Sequence, residues 1–308
     1  MKLIVTRGLP ASGKTTKARE WVLADPIGRV RVNRDDLRQM VTDSHFVGGK
    51  EGTEKIIRKM RDKLISTALL AGKNVIVDDT GLESKTMREL HVLAWTHGAE
   101  FLVWDLCHVP MEQCIRRDIA RILRNERGVG ENVIRSMAQR AKLPPEGGVA
   151  PVWTPDTTVS RIERYEPNLS KPHAVIVDID GTVALHTARS PYDYTRVLTD
   201  SPNLPVIRVL QALRLSSFAP QVIFLSGRPD SCREDTEKWL DEHVGFWDHL
   251  FMRPAGDARN DAVIKYELFH GFVAPRFNVL SVFDDRDRVV RLWRALGLSV
   301  FQVNDGDF

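Results

Sequence analysis

Short runs of consecutive apolar residues alternate along the chain with longer stretches whose apolar residues recur every three or four positions. Leu3, Ile4 and Val5 open with a strand-like run, and residues 14–23 have a helical pattern. A second strand is predicted over residues 29–32. Between residues 53 and 70, the positions Ile56, Ile57, Met60, Leu64, Ile65, Ala68 and Leu69 fall at helical spacing. Asn74 to Val77 reads as a buried strand, residues 84–97 as a helix and residues 100–106 as another strand. The pattern restarts further on. Strands over 174–177, 221–225 and 279–283 alternate with helices near 206–215, 230–243, 261–269 and 286–296. Buried strands separated by helices predict parallel sheets with ligands at the carboxyl ends of the strands. The expected fold class is therefore α/β, with two doubly wound parallel-sheet domains.

Proline places the boundary between them. Six of the 16 prolines fall between residues 143 and 172, a stretch that also holds Gly147 and Gly148. Proline fixes φ and removes donors, so this segment is expected to be an extended linker joining domains at 1–142 and 173–308. A hydrophobic content of 43% and a charged content of 28% over 308 residues exclude global disorder, collagen and coiled coil. No apolar run approaches the length of a membrane span. The N-terminal apolar run is too short for a signal peptide. Cys107, Cys114 and Cys232 lack metal-ligand spacing and read as free thiols of a reducing, cytoplasmic compartment.

The net charge of +3 conceals an asymmetry. Residues 1–142 hold 26 basic against 18 acidic residues, whereas residues 143–308 hold 18 against 23. A basic front half suits a polyanionic ligand. Gly8-Leu9-Pro10-Ala11-Ser12-Gly13-Lys14-Thr15 stands between a strand and a helix and matches the phosphate-binding P-loop in full. Its backbone N–H groups and helix N-terminus would cradle the phosphates of a nucleoside triphosphate. Gly8, Ser12, Gly13, Lys14, Thr15 and Thr16 are the expected nucleotide ligands. Lys14 would lie on the β/γ-phosphates and the Thr15 hydroxyl on Mg²⁺. The next strand ends in Asn33-Arg34-Asp35-Asp36-Leu37-Arg38. Asp35 is expected to act as general base towards an attacking hydroxyl and Asp36 to cap the following helix. Arg38 lies one turn on and would grip an acceptor phosphate. Asp79, in Asp78-Asp79-Thr80, is expected to orient Arg38, with a turn or helix cap as the alternative. Arg116, Arg117, Arg121, Arg124 and Arg127 form an arginine-rich segment suited to close over a nucleotide.

A second constellation lies beyond the linker. Asp178-Ile179-Asp180-Gly181-Thr182 follows a buried strand. Two carboxylates two residues apart suit covalent phosphoryl transfer, with Asp178 attacking phosphorus and Asp180 serving as acid and base. Ser226-Gly227-Arg228 and Asp284-Asp285-Arg286 end later strands. The first would bind phosphate oxygens. Asp284 and Asp285, with Asp178 and Asp180, would hold Mg²⁺.

These residues carry a resemblance. The Asp178–Thr182 run, Ser226-Gly227-Arg228 and Asp284-Asp285-Arg286 resemble the haloacid-dehalogenase-type phosphatases. The P-loop with Asn33–Arg38 and Asp78-Asp79-Thr80 resembles a polynucleotide 5′-kinase. The order of the two, and the ending Gly306-Asp307-Phe308, resemble the bifunctional polynucleotide kinase/3′-phosphatases of large tailed phages over essentially the whole chain. The resemblance implies a P-loop kinase domain followed by a Rossmann-like phosphatase domain. It implies ATP and Mg²⁺ as cofactors, RNA or DNA ends as substrates, a separate ligase as functional partner and a homotetramer. For a phage-encoded chain it implies the host cytoplasm. It assigns the β/γ-phosphate clamp to Arg127, with Arg124 as the alternative, and gives phosphatase substrate contacts to Arg189 and Arg228. The family's third phosphatase motif has a lysine after a Gly-Asp pair, whereas here Gly256-Asp257-Ala258-Arg259-Asn260-Asp261 has none before Lys265. Asp257 and Arg259 are therefore the expected third-motif residues. The expected function is end healing: 5′-phosphorylation from ATP and 3′-phosphate removal before ligation. The alternatives are a small-molecule kinase fused to a nucleotide phosphatase and an ATP-switched nucleic-acid-binding adaptor.

Overall fold

A computed structural model describes residues 1–44, 51–149, 153–158, 161–186 and 188–304. The ending Gly306-Asp307-Phe308 lies outside the described residues. The chain divides into two compact units, Met1–Ser160 and Arg161–Phe308.

The first unit runs β1 (Lys2–Arg7), α1 (Lys14–Leu23), β2 (Arg29–Val32), α2 (Arg34–Thr42), α3 (Glu51–Leu70), β3 (Asn74–Val77), α4 (Ser84–Thr96), β4 (Glu100–Asp105), α5 (Met111–Leu123) and α6 (Glu131–Arg140). Its four strands form a parallel sheet in the order β2-β3-β1-β4. Leu3, Val5, Val75 and Val77 point to one face, where Ile57, Ile65 and Leu69 of α3 and Leu90 of α4 cover them. Ile4 and Ile76 point to the other, against Ala18 of α1. Apolar residues on both faces explain why these strands show continuous apolar runs. Because the strands are parallel, the loops after β1, β2 and β3 open at one edge. The P-loop, Asn33–Arg38 and Asp78–Thr80 therefore converge there.

The second unit runs β5 (His173–Val177), β6 (Ala184–Leu185), β7 (Ser201–Pro202), α7 (Leu204–Arg214), β8 (Gln221–Pro229), α8 (Arg233–His243), β9 (His249–Arg253), α9 (Asp261–Leu268), β10 (Asn278–Asp284), α10 (Asp287–Ala295) and β11 (Val300–Gln302). Five parallel strands are ordered β11-β10-β5-β8-β9, and β6 and β7 form a small antiparallel pair. β8 continues through Ser226, Gly227 and Arg228, with a register shift against β9 between Ser226 and Pro229, so the second motif sits on the strand itself.

The proline-rich segment contains no helix or strand among its described residues. It is nevertheless seated at both ends. Trp153 packs on His91 and Phe101 of the first unit. In the second unit, the Tyr165 hydroxyl donates to the Phe277 carbonyl at 3.0 Å.

Candidate active sites

A cleft of about 600 Å³ opens at the carboxyl edge of the first sheet, and Lys14, Thr15, Asp35, Arg38, Asp78 and Arg127 are among its lining residues. The P-loop needs its glycines. Gly8 has φ +148°, and a Cβ there would meet Ser12 Oγ at 2.8 Å and the Leu106 backbone at 3.2 Å. Gly13, with φ +103°, turns the chain into α1. Lys14 Nζ donates to the carbonyls of Gly8 (2.9 Å) and Leu9 (2.6 Å) and to Ser12 Oγ (3.3 Å). Burial lowers its pKa to about 8, against the pull of Asp78. Thr15 Oγ1 donates to Asp78 Oδ1 at 3.2 Å. Burial raises the Asp78 pKa, and Arg31, whose Nε donates at 2.9 Å, opposes the rise. A hydroxyl beside a buried carboxylate at the mouth of the loop is an oxygen donor set that fits Mg²⁺. Asp78 was thus missed as part of the nucleotide site. Thr16 follows Thr15 in the first turn of α1 and is exposed.

Asp35 stands between two arginines. Arg38 Nη1 donates to its Oδ1, and Arg127 Nη2 lies 2.6 Å from its Oδ2. Glu54 of α3 receives the other side of the Arg38 guanidinium, with Nη2 donating at 3.0 Å. Two expectations are corrected here. The cap of α2 is Asn33, whose side chain accepts from the N–H groups of Asp35 (2.9 Å) and Asp36 (3.0 Å), while Asp36 pairs with Arg31. Asp79 holds Arg34, through its N–H (3.1 Å) and Nε (2.8 Å), because Glu54 already occupies the Arg38 fork. Of the arginine-rich segment, Arg121 and Arg127 line the cleft, whereas Arg124 is exposed and pairs with Glu126 at 2.8 Å. Asp118, buried in α5, accepts from the N–H groups of Val129 (3.0 Å) and Gly130 (2.8 Å) and so fixes the loop that carries Arg127.

In the second unit Asp178, Asp284 and Asp285 bring one carboxylate oxygen each within 4.8 Å of one another, and all three residues are buried. Hard oxygen donors at this density fit Mg²⁺. Burial raises the Asp178 pKa, Lys265 lowers it, and Asp284 and Asp285 add to the rise. Burial and Asp284 push Asp285 up to about 6. Lys265 Nζ donates to Asp178 Oδ1 at 2.6 Å and to Asp284 Oδ2 at 2.9 Å. Burial works against its charge, yet Asp178 and Asp284 hold its pKa above the ordinary value. This corrects the third motif. The cation beside Asp178 is Lys265, one turn into α9 from Asp261. Arg259 faces away into Asp257 and Glu267, each at 2.7 Å. A planar guanidinium in the loop cannot take the place that the ammonium reaches from inside the helix.

Asp180 lies in a different setting. Arg228 donates to it through Nε (2.9 Å) and Nη2 (2.8 Å), and Arg189 Nη2 donates to its Oδ1 at 2.8 Å. Both guanidinium groups also donate to Asp200 Oδ2 at 2.7 Å. Burial works against the Asp180 charge, but Arg228, His186 and Arg189 hold its carboxyl far below the usual range. Its carboxylate is grouped with His186 and Asp200 rather than with Asp178, Asp284 and Asp285, which corrects its expected place beside those three. Arg189 and Arg228, whose side chains are fully buried, clamp Asp180 rather than present free donors to a phosphate. Asp200, which joins the two arginines, was not singled out in the sequence. Ser226 Oγ accepts from the Arg228 N–H at 3.2 Å. A Cβ on Gly227 would lie 2.3 Å from Asp261 Oδ1, so a larger residue there would displace the Asp261 carboxylate.

Residues 172–308 match the polynucleotide kinase PNKP phosphatase domain family. Residues 3–144 match the AAA domain family, which implies nucleotide use. A protein of Autographa californica nuclear polyhedrosis virus, named as a proposed bifunctional polynucleotide kinase/RNA ligase, is 32% identical over 98% of this chain. The chain spans 42% of that protein's length. Two solved structures, described as the Pnkp1/Rnl/Hen1 RNA repair complex and the Pnkp1/Rnl/Hen1 complex, each contain a chain 31% identical to this one. Each match covers 100% of this chain and 97% of the other, with a TM-score of 0.46.

Proposed function

The chain belongs to the polynucleotide kinase–phosphatase family, and on that premise we propose that it heals broken RNA or DNA ends. One unit transfers the γ-phosphate of ATP to a 5′-hydroxyl, and the other hydrolyses a 3′-phosphate. The observation that carries this reading is the presence on one chain of two chemically different residue clusters, a cleft lined by Lys14 and Asp35 and a buried group built on Asp178 and Lys265.

In the first pocket Lys14 and the P-loop amides bind the β- and γ-phosphates. Asp35 accepts the proton of the 5′-hydroxyl as its oxygen attacks the γ-phosphorus in line, and the bond to the departing ADP breaks. Arg38 and Arg127 flank Asp35 and neutralise the acceptor and donor phosphates respectively. In the second pocket an Asp178 oxygen attacks the phosphorus of the 3′-phosphomonoester. The bond to the ribose oxygen breaks, leaving an aspartyl-phosphate and an alkoxide that takes a proton from Asp180. Asp180 then takes a proton from water, whose oxygen attacks the phosphorus, and Asp178 and inorganic phosphate are released. Lys265 offsets the charge at Asp178 throughout. Because Arg189 and Arg228 hold Asp180 as a carboxylate at rest, its acid step requires those contacts to weaken as the phosphate enters and Asp180 to take up a proton from solvent first. Mg²⁺ held by Asp178, Asp284 and Asp285 would supply the remaining positive charge on the phosphoryl oxygens.

Ligation falls to a ligase outside these two units. The test is end-group analysis of a 5′-hydroxyl, 3′-phosphate oligonucleotide incubated with the full chain, ATP and Mg²⁺. The expected product carries a 5′-phosphate and a 3′-hydroxyl. Asp35→Ala should stop the first change alone and Asp178→Asn the second alone. An oligonucleotide left unchanged at both ends, while ATP or mononucleotides are turned over, would refute the reading.

A further inference from the structure

A hydrogen-bonded turn that the acid–base chemistry does not use is joined to Asp180 through Arg189. Residues 190–193 form a tight turn in which the Asp193 N–H donates to the Ser190 carbonyl at 3.0 Å. Arg189 braces the turn from beneath. Its Nη1 donates to the carbonyls of Ser190 (3.2 Å), Pro191 (3.4 Å) and Asp193 (3.4 Å), while its Nη2 holds Asp180. Asp193 Oδ1 closes the far side by accepting from the Thr195 N–H (3.2 Å) and hydroxyl (2.6 Å). At the apex stands Tyr192, 75% exposed, between Pro191 and Asp193, two of the three residues whose carbonyls Arg189 grips. One guanidinium thus connects the proposed acid–base group to the backbone on both sides of an exposed aromatic ring. A ring on a pinned turn loses little freedom when a second ring stacks on it. Nucleobases all present π-faces, so such a platform serves any terminal base.

We propose that Tyr192 is the stacking platform for the nucleobase of the 3′-terminal nucleotide, holding it while the attached phosphate lies at Asp178. The proposal rests on the end-healing reading. The occupant follows from the placement: Arg189, a neighbour of Asp180, holds the backbone that carries the ring through contacts independent of Asp180, and a terminal base is the flat group tethered to the phosphate. Phosphatase kinetics of the full chain test it, with wild type, Tyr192→Ala and Tyr192→Phe on two 3′-phosphorylated oligonucleotides, one with a normal terminal nucleotide and one abasic there. Base–aromatic stacking of the usual strength predicts that Tyr192→Ala raises KM about tenfold on the normal end, with kcat within about twofold. Tyr192→Phe should match wild type, and on the abasic end all three proteins should share one raised KM. Unchanged KM for Tyr192→Ala, or an equal loss on the abasic end, overturns the stacking role while leaving the end-healing reading standing. A wild-type protein that releases no phosphate from either oligonucleotide overturns both.

Discussion

A lysine ammonium buried between two carboxylates has no solvent to replace it. Removing Lys265 would leave Asp178 and Asp284 facing each other, with Asp285 already pushed up to about 6 by burial and its neighbour. Lys265→Ala is expected to lower 3′-phosphatase kcat by about 100-fold or more, because it deletes the charge that stabilises the attacked phosphoryl group. Arg259→Ala, which loses only partly exposed ion pairs with Asp257 and Glu267, should stay within about twofold. Parallel phosphatase assays decide between the two cations, and a larger loss for Arg259 would restore it as the third-motif charge. The same pair shows which parts of the site are legible in a sequence. Lys14, Asp35, Asp178 and Asp284 stand in short runs beside strand ends, where local spacing already implies a shared pocket. Lys265 lies 87 positions from Asp178, and Arg228 lies 48 from Asp180. Such partners meet only through the strand order, so the identities of Lys265, Asp200 and Glu54 as site residues could not be derived from local pattern.

Among the secondary-structure elements, α5 and the loop after it decide where Arg127 stands. The buried Asp118 carboxylate ties the N–H groups of Val129 and Gly130 to the helix. Asp118→Ala unties them without touching the cleft arginine itself. The expected outcome is a fall of about tenfold or more in 5′-kinase kcat/KM, from misplacement of Arg127, with phosphatase activity unchanged. Steady-state assays of both activities on one preparation check it. A second prediction concerns α4, where His91 lies against Phe101 and Trp153. Burial holds its pKa below the ordinary 6.5, and Asp156 pulls the other way. The unfolded chain therefore takes up a proton as pH falls through 6.5, while the folded form resists it, so stability is lost on the acid side. Urea midpoints should fall between about pH 7.5 and 5.5, and His91→Phe should make that fall shallower. An unchanged slope would show that His91 does not feel its burial. Elements were legible where the local pattern was sharp, whether at a sheet edge, as in β2, or inside the sheet, as in β3. The expected bounds of α1, β2 and β3 coincide with those observed. β9 and β11 escaped notice because β11 is three residues long and His249 and Arg253 bound a short apolar run in β9.

Across the whole molecule the two units differ in the charge they would offer a polyanion. Residues 1–142 carry an excess of basic residues, and the cleft in the first unit is lined by Arg19, Arg31, Arg34, Arg38, Arg121 and Arg127. Residues 143–308 hold more acidic than basic residues, and the arginines closest to Asp180 are neutralised internally by Asp180 and Asp200. A single strand held by ion pairs to its phosphates releases counterions, and its affinity falls with salt in proportion to the number of pairs. Phosphate contacts from about three of the cleft arginines give a log–log slope near about −2 for the 5′-hydroxyl end. The 3′ end, held by one esterified phosphate and a stacked base, should show a slope nearer zero. Raising KCl from about 50 to about 200 mM is therefore expected to increase the kinase KM for an oligonucleotide roughly 15-fold while shifting the phosphatase KM by less than about threefold. One oligonucleotide with a 5′-hydroxyl and a 3′-phosphate allows both constants to be measured on the same molecule. Equal salt slopes at its two ends would mean that the charge asymmetry along the chain does not reach the substrate, and that both units hold the strand by the same kind of contact.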